Sequence, residues 1–422
     1  MVSVVSRTSR EWPDNMDSAV LCDRAESRTQ PQAELAIDDA RELDAVEMPA
    51  RIRVRRGPIS GMAISPSGAQ LAVTNYGGDS VAIIDTRTRE VVDTVEGISE
   101  PFAIAVGATH AYVSTVSATC DSIDVIDLSS HDVVATHPLA LSLADLVVSP
   151  DGRYVHAARN GADGCDVAIL DTATDWFEVV EIDAAPGTAI ECVRVSPDGL
   201  RLYVGTNGPT GGRVVVIGAG APVAADARPS WRWKNSNSAS RLHATSVPTA
   251  GRTTRRSQRS VVGVIEVEST VRDLALSPDG ARVYVAGCGA DLGVVVDVLD
   301  ARAGKVIATS KIGEVGGLVT RLTVSRDGDR VYLVGDDGVT VLRAHSCEVI
   351  GTIGMAIRPS CVVESPDGHH LYVADQSGSV TVLPLVTAAN AALRDARRAA
   401  LEAGQACGWS PIDRAMREMA IA

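Results

Sequence analysis

Long apolar runs are missing from this 422-residue chain, and none approaches the roughly 18 uninterrupted apolar residues of a membrane span. The opening residues, MVSVVSRTSREWPDNMD, lack the apolar core of a secretory signal, so a soluble, cytoplasmic protein is expected. The eight cysteines form no C-x-x-C pair, and without an export signal they read as reduced thiols rather than a disulfide framework. No G-x-S-x-G elbow, P-loop, H-E-x-x-H or EF-hand pattern occurs, which leaves nucleophilic and nucleotide-dependent chemistry without a signature. Positive charge is also short: the formal net charge of −14 sets the molecule as a whole against nucleic acid and anionic membrane.

What the chain does have is a repeat. A tetrad S-P-D-G or a near variant stands at 65–68 (SPSG), 149–152, 196–199, 277–280, 325–328 (SRDG) and 365–368, and a degenerate seventh copy is the turn at 107–110. Each turn follows a short apolar run such as LVVS or VRVS and precedes a second run centred on Tyr-Val. Pro fixes φ, Asp bonds back to the turn backbone and Gly supplies the positive φ of the exit, so each unit opens with a β-hairpin. A third strand ending in Asp follows, as in SVAIID and SIDVID, and then a fourth, as in DVVATH or KVIATSKI. Four antiparallel strands make one propeller blade.

The spacings of the turns are 42, 42, 47, 81, 48 and 40 residues, the outlier being explained by an insertion in the fourth unit. Seven turns predict an all-β, seven-bladed β-propeller. The last unit supplies only three strands, while RIRVRR at 51–56 stands ahead of the first unit without partners, so it is expected to complete the seventh blade from outside. Six tyrosines (112, 154, 203, 284, 332 and 372) read as one repeat position that packs the core or the blade interfaces.

The S-P-D-G…Y-V units with a following V-x-V-I-D strand resemble the YVTN-type β-propeller repeat family over residues 51–384. The WD dipeptide of WD40 blades and the paired glycines of kelch blades are missing. Members of the resembled family range from binding platforms to lactone hydrolases, so the resemblance implies a fold and leaves function to the site.

Three segments lie outside the ring. Residues 1–50 read as an acidic, mostly disordered arm, with eleven acidic residues and three arginines between 11 and 50. The insertion at 219–260 carries eight Lys or Arg against Asp226, and Arg228, Trp231, Arg232, Trp233 and Lys234 combine charge with stacking surface that single-stranded nucleic acid or acidic lipid can use. A disordered loop is the plainer reading, and pairing with the acidic arm of the same molecule or a neighbour is a third. The tail at 385–422 turns Ala-, Arg- and Glu-rich, predicting short helices at about 388–403 and from Ser410 onward.

Propeller sites lie around one mouth of the central channel, where the innermost strands begin. Four residues before each turn Ser stand Gly61, Asp145, Cys192, Asp273, Arg321 and Cys361; one residue earlier stand Ser60, Ala144, Glu191, Arg272, Thr320 and Ser360. Asp145, Glu191 and Asp273 are candidate oxygen ligands for Ca²⁺ or Mg²⁺, and Arg272 or Arg321 for holding an anion, unless these charges satisfy one another. Loops on the same face carry Tyr76, a candidate ligand contact, and Cys120, Cys165 and Cys288, which with Cys192 and Cys361 suit zinc or redox chemistry if they converge or core packing if they do not. Only His137 approaches this mouth, and one histidine makes no acid–base pair. The leading expectation is a non-catalytic binding or scaffold propeller engaging a protein partner or small ligand at that face. The alternatives are a metal-assisted hydrolase resembling propeller lactonases, and nucleic-acid or acidic-lipid binding through the insertion.

Overall fold

The computed structural model describes residues 50–54, 57–116, 121–139, 141–162, 164–219, 259–289, 293–313 and 319–385. These all belong to the larger of two compact units, Leu35–Ala422; the smaller, Met1–Glu34, lies outside them. The acidic arm, the expected C-terminal helices and the residues of the insertion from 220 to 258 also lie outside them.

Seven four-stranded antiparallel sheets follow one another along the chain. Blades one to six span 59–96, 104–139, 142–182, 189–267, 270–312 and 321–354, each with its strands in chain order. The seventh takes three strands from 359–384 and its outermost strand, Ala50–Arg53, from the other end of the chain. That strand pairs antiparallel with Ser379–Pro384, Ile52 opposite Val380. Beyond the ladder, the Val54 amide donates to the Gly378 carbonyl at 2.9 Å, and Arg51 donates to Asp375 and to Ser377, each at 3.0 Å. The ring therefore closes as the unpartnered N-terminal strand predicts.

The turn chemistry repeats from blade to blade. In blade three the Ser149 hydroxyl donates to Asp151 at 2.5 Å and accepts the Tyr154 amide at 2.9 Å, while Asp151 accepts the Arg153 amide. The tetrads at Ser196, Ser277, Ser325 and Ser365 make the same set. Gly152 takes φ 71°, the left-handed conformation that glycine enters without steric cost. The prolines do more than fix φ: Pro150 lies 3.6 Å from where a Cβ would stand on the next blade's turn glycine, and Pro197, Pro278 and Pro366 lie closer still, at 3.2–3.3 Å, so a side chain there would crowd them. Pro366 against Gly68 carries this contact across the closure.

Buried aliphatic side chains form one cluster at each of the seven blade interfaces, the closing one included. There Ile52, Leu71 and Val73 meet Tyr372 and Val380. Each fully buried Leu or Ile contributes roughly 1.5–3 kcal/mol. A blade offers two apolar faces, so it is stable only between two neighbours, and a ring satisfies all seven alike.

The tyrosine reading needs a correction. Tyr112, Tyr203, Tyr284, Tyr332 and Tyr372 share one slot, pairing with Ala105, Arg194, Ala275, Thr323 and Val363 of their innermost strands. In blade three that slot, opposite Val147, holds His156, and Tyr154 stands two residues earlier. Counting from the tetrad serine, instead of looking for the Tyr-Val pair, separates the two.

Candidate functional site

Five innermost strands are irregular at one place. Their registers skip between Ile59 and Gly61, Leu143 and Asp145, Ile190 and Cys192, Val271 and Asp273, and Pro359 and Cys361. The skipped residues are Ser60, Ala144, Glu191, Arg272 and Ser360, five positions before the tetrad serine. A bulge re-aims the side chains around it. Among the described residues, the half-buried Glu191 and the exposed Arg272 have neither a hydrogen-bond nor an ion-pair partner. Their adjacent blades thus present one free anion and one free cation near the start of the innermost strands.

Asp145 and Asp273, the next residues in register, are spent within the fold. Arg194 of blade four donates from Nη1 to Asp145 of blade three and from Nη2 to Asp273 of blade five, both at 2.5 Å. Asp145 also accepts the Val193 amide at 3.1 Å, and Asp273 accepts the Leu322 amide of blade six at 2.8 Å. Arg321 of blade six stands 3.9 Å from Asp145, so the cluster ties four blades together across the inner edge of the ring. Its two aspartates and two arginines balance. Asp273 is wholly buried and burial pushes its carboxyl up, against the pull of Arg194 and Arg321. Burial also opposes the charge on Arg194, but Asp273 and Asp145 outweigh it and leave the guanidinium firmly protonated.

Arg194 escaped the sequence reading, although a signal was available. It stands two residues before a tetrad serine, where the other blades carry Ala63, Val147, Ala275, Thr323 and Val363. A lone charge in an otherwise uncharged register marks a side chain with buried partners.

Other polar residues near this face also fasten blade to blade. Asn207 donates to the Val271 carbonyl and accepts the Val271 amide, both at 2.8 Å, and Asn160 does the same to Ile190 one interface earlier. Asp121 accepts the Leu143 amide at 3.0 Å. Ser60 donates to the Pro101 carbonyl at 2.7 Å. These groups satisfy the inner-edge backbone of the neighbouring blade, which no further strand would pair.

Tyr76 lies in a single 3₁₀ turn, Tyr76–Gly78, and its hydroxyl donates to Glu100 at 2.8 Å; burial first, and then that carboxylate, raise its pKa. His137 sits on the outermost strand of blade two, edge-on to Phe177 and 3.7 Å from Asp175. Cys165, Cys192, Cys288 and Cys361 are buried free thiols on four different blades, and burial pushes Cys361 up to about 11. Among the described residues no group of three or more His, Cys, Asp or Glu side chains is arranged to hold a metal ion, and no helix is long and apolar enough to cross a membrane. Cys120, Arg228, Trp231, Arg232, Trp233 and Lys234 lie outside the described residues.

A ring of seven sheets with cross-braced inner edges defines the chain as a seven-bladed β-propeller. The chain belongs to a family of seven-bladed β-propeller proteins: it is 48% identical over 335 residues to the seven-bladed beta-propeller protein Rv1057 of Mycobacterium tuberculosis, covering 78% of this chain and 83% of that protein. A seven-bladed beta-propeller protein of Mycolicibacterium smegmatis is 30% identical over 216 residues, 51% of this chain and 55% of that one. Among solved structures, Kuenenia stuttgartiensis hydrazine synthase superposes with a TM-score of 0.63 at 20% identity, over 79% of this chain and 97% of that one, a likeness of fold alone. No family model matches the chain.

Proposed function

We propose that this chain is a non-catalytic binding or scaffold propeller, with repeats of the YVTN type, that engages a protein partner or small ligand at its channel-mouth face. The observation that carries this reading is the division of labour among the charges there. Asp145, Asp273 and Arg194 brace the inner strands, while Glu191 and Arg272, on bulges of adjacent blades, have no partners among the described residues. A fixed frame that presents one free carboxylate and one free guanidinium suits recognition of a surface bearing both signs, and Arg suits a carboxylate or phosphate in particular.

The metal-assisted reading asks Asp145, Glu191 and Asp273 to share a Ca²⁺ or Mg²⁺ ion. Arg194 already takes one oxygen of each aspartate, and its positive charge between them opposes a cation there. Nucleic-acid or acidic-lipid binding would rest on the insertion alone, against a chain charge of −14.

The test is affinity capture with full-length protein beside its Arg272→Glu and Glu191→Lys variants. A partner retained by the parent and lost by both variants supports the proposal. Lactone or ester hydrolysis by the purified protein, abolished in Asp145→Ala or Asp273→Ala, would overturn it in favour of the hydrolase.

A further inference from the structure

The joint between blades six and seven departs from the repeat at two positions that meet each other. The residue before the tetrad serine is Ile64, Val148, Val195, Leu276 and Val324 in blades one, three, four, five and six, but Glu364 in blade seven. The aliphatic side chains at this position pack on the preceding blade, as Leu276 does in one cluster with Tyr203 and Val324 in one with Tyr284. Glu364 takes the same place: it pairs with Leu371, cross-strand partners share a face of the sheet, and Leu371 lies in one buried cluster with Tyr332 of blade six. The second tetrad residue, which is Pro66, Pro150, Pro197, Pro278 and Pro366 in the other tetrads, is Arg326 in blade six.

The two departures form one interaction. Arginine has the backbone N–H that proline lacks, and the Arg326 amide donates to Glu364 Oε1 at 3.3 Å. The carboxyl is otherwise poorly held. Its second oxygen, Oε2, and the Tyr332 hydroxyl are both buried with no hydrogen-bond partner among the described residues, and the two groups are close enough for each to bias the other's proton. Burial is the largest influence on Glu364 and pushes its carboxyl above the usual carboxylate range. Asp327 of the blade-six turn pushes the same way, while the Arg326 amide, Arg330 and Tyr332 pull back. On the opposite face of blade seven, the face of Tyr372, His370 stands 3.4 Å from Arg89 of blade one.

We infer that the joint between blades six and seven is a proton-operated latch in the ring, closed by a neutral Glu364 carboxyl and loosened by an ionised one. Neutral, the acid gains an O–H donor, so Oε2 and the Tyr332 hydroxyl pair while Oε1 keeps the Arg326 amide. Ionised, it puts a charge into an otherwise aliphatic slot near Asp327, with one backbone donor and the partial offset of Arg330. Because burial raises the folded value above the unfolded one, the folded chain holds this proton more tightly. The stabilisation is complete below the unfolded value near 4.5 and is lost as pH rises through the folded value. This interface is also the one most open to such control: among the described residues its cluster holds seven buried apolar side chains, where the other six hold nine to fourteen.

The experiment follows backbone hydrogen exchange in full-length protein at about pH 7.5 and about pH 5. Exchange in Arg330–Val334 and His370–Asp375, the strands at the joint, is read against Arg282–Cys288 of blade five, so that the intrinsic pH dependence of exchange cancels. In the parent, that ratio should fall about threefold or more on acidification. Glu364→Gln keeps an acceptor for the Arg326 amide and supplies a donor, so it should hold the low ratio at both values and melt higher than the parent at neutral pH, the difference closing in acid. Arg326→Pro with Glu364→Val, which restores the repeat, should likewise abolish the pH dependence of the ratio. A parent ratio that ignores pH or rises in acid would overturn the inference, as would a Glu364→Gln variant that keeps the parent's pH dependence or melts no higher at neutral pH.

Discussion

Replacing Arg194 with Met keeps the length of the side chain and removes its charge from between two carboxylates. Asp145 is 4% exposed and Asp273 0%, so neither can recover in water what it loses. Each retains backbone donors, Val193 for Asp145 and Leu274 and Leu322 for Asp273, which limits the damage. Removing one member of a buried ion pair costs about 3–5 kcal/mol. With an unfolding entropy of roughly 2.1 cal/mol/K per residue over about 280 described residues, that is a fall of about 5–8 °C in Tm. The assay is thermal unfolding of parent, Arg194→Met, and the triple variant that adds Asp145→Asn and Asp273→Asn. The triple variant should regain most of the loss, because the stranded charges are gone while the amide oxygens still accept the backbone N–H groups. The deficit of the single variant should also fade as pH falls, since burial already raises the pKa of Asp273 and protonating it removes a charge that has lost its hydrogen-bonded counter-ion and keeps only the more distant pull of Arg321. A loss below about 1 kcal/mol, the level of a solvated surface pair, would refute the buried brace.

His156 gives a second prediction: burial, then the nearby Arg259, lower its pKa to about 3, so the fold requires it neutral. Its contribution is complete above the unfolded value near 6.5 and is lost as pH falls toward 3, at up to about 1.4 kcal/mol per pH unit. His156→Gln should flatten the stability profile between pH 6.5 and 4.5, leaving the shallower share of His137, also lowered by burial; an unchanged slope in chemical denaturation would refute this. Removing residues 1–57 takes away the Ala50–Arg53 ladder, the Arg51–Asp375 pair and the cover of Ile52, a loss of roughly 3–6 kcal/mol. Full thermal stability in that truncation would refute closure by this strand. Asn207→Ala strands a donor and an acceptor on Val271 and should cost about 2 kcal/mol, whereas the same change at exposed Asp183 should leave Tm where it is.

The ring was legible because its causes are local. A tetrad that closes its own turn through Ser, Asp and Gly shows in four consecutive letters, and seven recurrences fix the number of sheets. The closing strand was legible by subtraction, one blade being a strand short and one strand lacking a blade. Of the channel-edge brace, Asp145, Asp273 and Arg321 were legible as one charged register, but their common partner was not, because Arg194 stands on an intervening blade two residues out of that register. The same distance hides Asn160 and Asn207, which look like loop residues until the neighbouring blade stands beside them. His156 was hidden by Tyr154, whose Tyr-Val pair imitates the repeat two positions out of register.

These misses share a cause with bearing on function. An innermost propeller strand has no sheet neighbour on its channel side, so side chains must complete the pairing across each interface. Polar residues will concentrate at the mouth of such a ring whether or not anything binds there, and concentration alone says little about a site. What distinguishes a residue is whether the brace uses it. By that test Asp145, Asp273, Asn160 and Asn207 belong to the frame, and Glu191 and Arg272 do not. Charge reversal at Arg272 should therefore alter binding and spare the melting temperature, while loss of Arg194 should lower the melting temperature whatever the ligand.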